Sequence, residues 1–284
     1  MSVKPSEWSY QKHAAQELGL PSCYTTPNSI DAWLHRRMLD LVRPLIGHSS
    51  EAHWLTVGDG RYGSDAHFLE SAGVSAVATN ISVATLVQAK ERGFIKAYQA
   101  ENAEFLSASD GSFDFVLCKE SYHHFPRPTV AFYEMLRVAR IGVVLIEPAE
   151  GHRRLLDFAK TVVKRVLRKG SSDLFEESGN FIYRTSVREK EKMMTALNHE
   201  CIAFKRFNTF YHPTLAAGEF RLLSPRAALT RIGIAVQDCL CALRLMNHGL
   251  VAVVAFKYTP SVSLQHSLRE VGYSLRFLPK NPYR

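Results

Sequence analysis

Between residues 53 and 146, short apolar runs alternate with longer runs whose apolar residues recur every three or four positions. The short runs are 53–57, 76–79, 113–118 and 142–146; the longer ones between them are 65–72, 83–92 and 128–139. Short runs that are apolar throughout read as strands buried on both faces, and the interleaved amphipathic runs read as helices covering both sides of one sheet. The chain is therefore expected to be α/β, with a doubly wound, mostly parallel seven-stranded sheet. Its last two strands are expected at 202–210 and 250–258, with helical insertions after strands 5 and 6. An earlier helix over 29–45 leads into this core, with Asn28 or Ser29 as its cap.

The expected organisation is a helical cap at 1–50, an α/β core at 51–150 that binds a cofactor, and a substrate lobe at 151–248 made of helical insertions with strand 6. The last sheet strand falls at 249–260 and a tail at 261–284. Within the substrate lobe, 151–170 reads as a basic helix, 187–198 as another helix, and 213–248 as a helical stretch.

A glycine-rich turn, Gly58-Asp59-Gly60-Arg61-Tyr62-Gly63, joins the first strand to the first core helix. Glycines let the chain turn sharply at a strand's carboxyl end and approach a ligand closely, while the next helix presents free amide donors. Such a hexapeptide also suits a nicotinamide-dependent oxidoreductase or a plain tight turn, so the rest of the pattern has to decide.

Further signals fall at or beside strand ends, where open parallel sheets bind their ligands. Asn80 closes the second strand, where its side chain can meet ribose hydroxyls or cap the following turn. Ala100-Glu101-Asn102-Ala103-Glu104 precedes the strand Phe113-Asp114-Phe115-Val116-Leu117, and Lys119-Glu120-Ser121-Tyr122-His123-His124-Phe125 follows it. From Trp54 to Pro148 the chain resembles the class I S-adenosylmethionine-dependent methyltransferases, particularly the type 11 or UbiE-like small-molecule group. The run from Ala100 to Pro128, followed by Glu134-Met135-Leu136-Arg137-Val138 and Ile146-Glu147-Pro148, is the most specific part of that resemblance.

The resemblance implies a Rossmann-like methyltransferase fold with S-adenosylmethionine as cofactor and S-adenosylhomocysteine as product. By position it places Gly58, Asp59, Gly60 and Gly63 along the methionine end and ribose, Asn80 at the ribose hydroxyls, Asn102 and Ala103 beside adenine, and Lys119 close to the sulfonium. The chain departs from the family pattern at Asn80 and Asn102, where acidic residues are usual, and at Thr56, for which Asp59 or Asp65 is the substitute. An asparagine keeps an acceptor but loses a charge-assisted bond, roughly twice as strong as a neutral one.

Methyl transfer asks the protein to align an acceptor and remove its proton. Imidazole titrates near neutral pH, so His123 and His124 are the candidate general bases, with His123 preferred. Tyr122 is a candidate to hydrogen-bond the acceptor oxygen, and Glu120 to orient an imidazole. Glu147 either contacts substrate or closes the turn before Pro148. The expected reaction is oxygen methylation of a small molecule, such as a sugar, a glycan or a phosphorylated precursor, without a metal site. The other readings are an RNA or protein methyltransferase and a catalytically silent cofactor-binding module.

Formal charge is +8 and the isoelectric point about 9.3, which favours acidic partners. Nucleic acid is not expected, whereas the basic helix at 153–169 suits peripheral contact with an anionic membrane surface. Aromatic residues, among them Phe175, Phe181 and Tyr183, are candidates for an acceptor pocket. Five cysteines, an odd number with no paired CxxC spacing, point to buried or free thiols. No run approaches the roughly 18 apolar residues of a membrane span, and 1–6 carry no signal-peptide run, so the expected location is the cytoplasm.

Overall fold

The computed structural model describes residues 11, 28–151, 174, 175, 181–216, 218–221 and 224–283. The expected basic helix at 153–169, and the helical cap before residue 28 apart from Gln11, lie outside the described residues.

One sheet of eight strands forms the centre, in the order β3-β2-β1-β4-β5-β7-β6-β8. Strands β1 (His53–Val57), β2 (Ser75–Asn80), β3 (Tyr98–Ala100), β4 (Phe113–Lys119) and β5 (Ala139–Pro148) pair in parallel. Strands β6 (Cys201–Phe207), β7 (Leu250–Phe256) and β8 (Ser274–Phe277) complete it through antiparallel pairing. The expected count of seven is thus corrected to eight. The extra strand, β8, lies within the supposed tail, where a helix at Val262–Glu270 precedes it. It escapes sequence reading because it is four residues long and none of them is buried, so it shows no apolar run.

Alternation along β4 and β5 builds two cores. Phe115, Leu117, Val144 and Ile146 face one, with Leu69 from helix α3 (Ser64–Ser71) and Leu86 from helix α4 (Ala84–Glu91). Val116, Cys118, Val143 and Leu145 face the other, with Phe132 and Met135 from helix α5 (Pro128–Val138) and Met194 from helix α6 (Val187–Ala196). Each fully buried Leu, Ile or Phe contributes about 1.5–3 kcal/mol, and pleating shares that gain between both faces.

Two earlier helices, α1 (Ile30–Leu39) and α2 (Arg43–His48), lead into β1, and the Ser29 hydroxyl caps α1 by accepting from the Ala32 amide at 3.0 Å. The helical stretch expected over 213–248 is two helices, α7 (Pro213–Ala216) and α8 (Pro225–Ala242). Because β6 lies between β7 and β8 in the common sheet, the lobe expected at 151–248 contributes a strand to the core. Among the described residues no helix is long and apolar enough to cross a membrane.

Candidate active site

The glycine-rich turn leaves β1 with Gly58 at φ +77° and Gly63 at φ +68°, left-handed backbone that favours glycine. A Cβ on Gly58 would lie 2.4 Å from the Ser121 Cβ, and the Ser121 hydroxyl donates to the Gly58 carbonyl at 2.6 Å. The first turn is thereby pinned against the loop after β4. Gly60 is held through its carbonyl, which accepts from the Thr85 hydroxyl at 2.7 Å.

Asp59 faces inward. Its buried carboxylate accepts from the Thr56 hydroxyl at 2.9 Å and from the Asp65 and Ala66 amides at 3.2 and 2.9 Å, so it caps α3. Burial, with the neighbouring charge of Asp65, pushes the Asp59 carboxyl well above the usual carboxylate range, and the three donors offset this only in part. Asp65, the other substitute for an acid at Thr56, pairs with Lys119 instead.

Lys119 is buried at the end of β4, with its ammonium 3.2 Å from Asp65 and 2.9 Å from His35 Nδ1. Burial pulls its pKa down, but Asp65 and Glu120 more than offset this, and the net direction is upward. His35, which sequence reasoning passed over, reaches in from α1. Its ring meets Lys119 and Arg61 on opposite nitrogens and lies 3.4 Å from Glu120; Asp31, one turn earlier, binds Arg61 at 2.7 Å. Burial, with Lys119 and Arg61 close by, lowers the His35 pKa, so the imidazole is neutral near neutral pH. Burial raises the Glu120 pKa, but Lys119, His35 and Arg61 reverse that and hold it ionised. The Glu120 carboxylate thus sits beside the His35 ring, 3.4 Å from Nδ1.

The side-chain amide of Asn80 donates to the Ser82 carbonyl at 2.8 Å, within the turn after β2. Asn102 Oδ1 accepts from the Glu104 amide at 3.0 Å, closing a turn in which Ala103 packs into the core. Glu104 in turn accepts from the Arg127 amide and Nε at 2.7 and 2.8 Å, tying this loop to the start of α5.

Beyond Ser121 a short 3-10 turn, Tyr122–His124, sorts its three side chains. Tyr122 goes inward: it is wholly buried, its hydroxyl accepts from Lys190 Nζ at 2.5 Å, and burial raises its pKa. This corrects its expected place at the acceptor oxygen. The next residue, His123, keeps 12% of its side chain exposed and puts Nδ1 2.7 Å from Oε2 of the fully buried Glu147. His124 stacks beside it, ring centres 3.9 Å apart. The other Glu147 oxygen accepts from the Ser121 and Tyr122 amides, each at 2.9 Å. Glu147 thus holds the turn after β4 and not one before Pro148, which lies within β5, and it also faces His123.

These residues fit S-adenosylmethionine. The strand-end loops of β1, β2 and β3 follow one another along one edge, the order its methionine, ribose and adenine require. Arg61 and Lys119, which meet His35 beside the glycine-rich turn, carry the positive charge that suits the cofactor's carboxylate.

A family model described as a methyltransferase domain matches residues 55–146. The chain carries a class I S-adenosylmethionine-dependent methyltransferase domain. No curated protein sequence matches the chain. Among solved structures, the methyltransferase shares its fold with the YcgJ protein of Bacillus subtilis at 18% identity, with a TM-score of 0.51 over 80% of this chain and 100% of that one. It also resembles an S-adenosylmethionine-dependent methyltransferase of Methanosarcina mazei at 17% identity, with a TM-score of 0.50 over 76% of this chain and 98% of the other.

Proposed function

We propose that the enzyme methylates a hydroxyl oxygen of a small molecule, with His123 as the general base. The observation that carries this reading is the His123–Glu147 pair at 2.7 Å. A buried carboxylate on Nδ1 fixes that nitrogen as the donor, leaves Nε2 to accept the hydroxyl proton, and stabilises the imidazolium that results. When bound, S-adenosylmethionine supplies an electrophilic methyl on a positively charged sulfur. The chain's own part is to hold the acceptor in line, which is worth up to about 7–11 kcal/mol, and to take its proton, worth a factor of about 10² to 10⁴.

Residue 183 runs beside the histidine turn, its amide donating to the His123 carbonyl at 3.3 Å. Its ring continues to Phe181 and Phe175 with centres 6.5 and 5.8 Å apart, and both phenylalanines are half exposed. A row of aromatic faces next to the base suits the apolar face of a sugar or an aromatic ring, and the chain's +8 charge favours a phosphorylated or otherwise acidic precursor. On this reading the acceptor is diffusible and the enzyme works in the cytoplasm.

The test uses methyl-labelled cofactor with a panel of hydroxylated sugars, phenols and their phosphates. His123→Ala is expected to cut labelling by about 10² or more while S-adenosylhomocysteine still binds by calorimetry. Undiminished labelling by that variant would remove His123 as base. Labelling of RNA or protein in place of the small molecules would overturn the acceptor class, and binding of S-adenosylhomocysteine with no labelling of any acceptor would leave a silent cofactor-binding module.

A further inference from the structure

Helices α1 and α3 line a cavity of about 500 Å³ that shares Asp31, His35 and Arg61 with the charged cluster around Lys119 and contains none of His123, His124, Glu147, Asn80 and Asn102. Its volume lies within the range of small-ligand pockets, roughly 300–1,000 Å³. The walls are flat π faces. Phe94 stacks on the His67 ring at 3.8 Å between centres and 16° between planes, and Trp33 stacks on Phe220 at 4.6 Å and 14°.

The charge along these walls is one-sided. Arg36 and Arg43 lie 5.7 and 5.2 Å from the centre of the Phe68 ring, and Arg61 closes the inner end. The lining holds one acid, Asp31, which is committed to Arg61 at 2.7 Å. Asp40, outside the lining, holds Arg43 at 2.6 Å and lies 3.8 Å from Arg36, so both guanidinium groups keep one carboxylate between them. Three arginines against the two carboxylates of Asp31 and Asp40 leave one positive charge in excess beside the aromatic walls. A guanidinium lying on a ring face is well placed to stack on a second planar group and to bind a phosphate or carboxylate in a fork.

We propose that this cavity is a second ligand site, which adjoins the cofactor end of the methyl-transfer centre through His35 and Arg61, and that it takes a flat aromatic body carrying a phosphate or carboxylate. The ring lies against the aromatic lining while the anion meets Arg36 and Arg43, whose side chains are about half exposed or more.

Phenyl phosphate is the probe, with phenol and inorganic phosphate as its two halves. Calorimetry and the emission of Trp33 are expected to show saturable binding of phenyl phosphate, at least about tenfold tighter than either half alone. The double variant Arg36→Ala with Arg43→Ala is expected to weaken phenyl phosphate at least about tenfold while its melting temperature and its affinity for S-adenosylhomocysteine stay at the wild-type values. Arg43→Glu alone is expected to act in the same direction. Equal binding of inorganic phosphate would reduce the feature to a cationic patch, and equal binding of phenol would remove the anion requirement. No saturation by phenyl phosphate, or a loss of its binding in His123→Ala with the arginine variants unaffected, would overturn the site.

Discussion

His123 Nδ1 lies 2.7 Å from Oε2 of Glu147, a carboxylate with no solvent exposure. A negative charge this close and this dry favours the protonated imidazole. Glu147→Gln keeps the shape and an acceptor for the Ser121 and Tyr122 amides while removing the charge, so the protonated form of His123 is expected to be less favoured. Titration of the His123 ring protons by NMR checks this without any acceptor in hand, and an unchanged pKa would remove Glu147 as the group that tunes the base. Glu147→Ala is expected to be the worse substitution for stability, because the two amides lose their acceptor at about 1–3 kcal/mol for each unsatisfied buried group.

Lys190 carries a pH dependence of the opposite kind. Its side chain is fully buried among aromatic rings, with Nζ 4.3 Å from the centre of Tyr122 and 4.9 Å from that of Phe132. Burial pulls its pKa down to about 8, against the upward pull of Glu189 and Glu147. In the unfolded chain a lysine titrates near 10.4, so across the interval above about 8 the unfolded state binds more protons than the native one. Stability is therefore expected to rise as pH climbs from about 8 towards 10.4, by roughly 3 kcal/mol at most. Lys190→Met should flatten that rise. Denaturant titrations at several pH values decide the point, and a rise of equal size in the variant would show that other groups cause it.

Part of this centre is legible in the chain before folding and part is not, for physical reasons. Strands β1 and β4 announce themselves because both faces are buried and nearly every residue is apolar. Edge strand β3 has two exposed residues among three, and β8 has no buried residue, so neither leaves a periodic trace. The His-His pair is visible as a motif, but its orientation is set by one 3-10 turn that sends Tyr122 into the core and leaves His123 partly exposed. The role of Glu147 follows from register: Lys119 pairs with Ile146, which brings the next residue of β5 beside the loop that continues β4. Nothing local encodes that pairing. Likewise His35 and Asp31 read as an ordinary i,i+4 pair on α1 until the helix packs on Arg61 and Lys119.

Gly58 offers a sharper test of the loop. An alanine there meets two separate costs, a left-handed backbone worth about 1–2 kcal/mol and a Cβ placed 2.4 Å from that of Ser121. Gly58→Ala is expected to lose about 2 kcal/mol or more and to weaken S-adenosylhomocysteine binding. Adding Ser121→Gly removes the clashing atoms but not the backbone strain, so the double variant should recover stability only in part. Additive losses in the double variant would mean that the close approach of these two residues is not what demands glycine.

The Lys119–Asp65 pair gives the last prediction. Both side chains are nearly inaccessible, at 2% and 6%, and their charged atoms are 3.2 Å apart. Removing one partner leaves the other charge buried, which typically costs about 3–5 kcal/mol, whereas replacing both with uncharged groups is often neutral. Lys119→Met alone strands Asp65 beside Asp59, two acids in one dry pocket, with Asp59 already disfavoured in its charged form by burial and by Asp65. Asp65→Asn alone leaves Lys119 facing His35 and Arg61, a cluster of donors with one less counter-charge. Each single variant is expected to lose about 3 kcal/mol or more, and the double variant less than the sum, giving a coupling energy of about 1–3 kcal/mol by denaturant unfolding. A coupling near zero would mean that the two charges are screened from one another, and the charged cluster would then no longer account for how α1 is held over the glycine-rich turn.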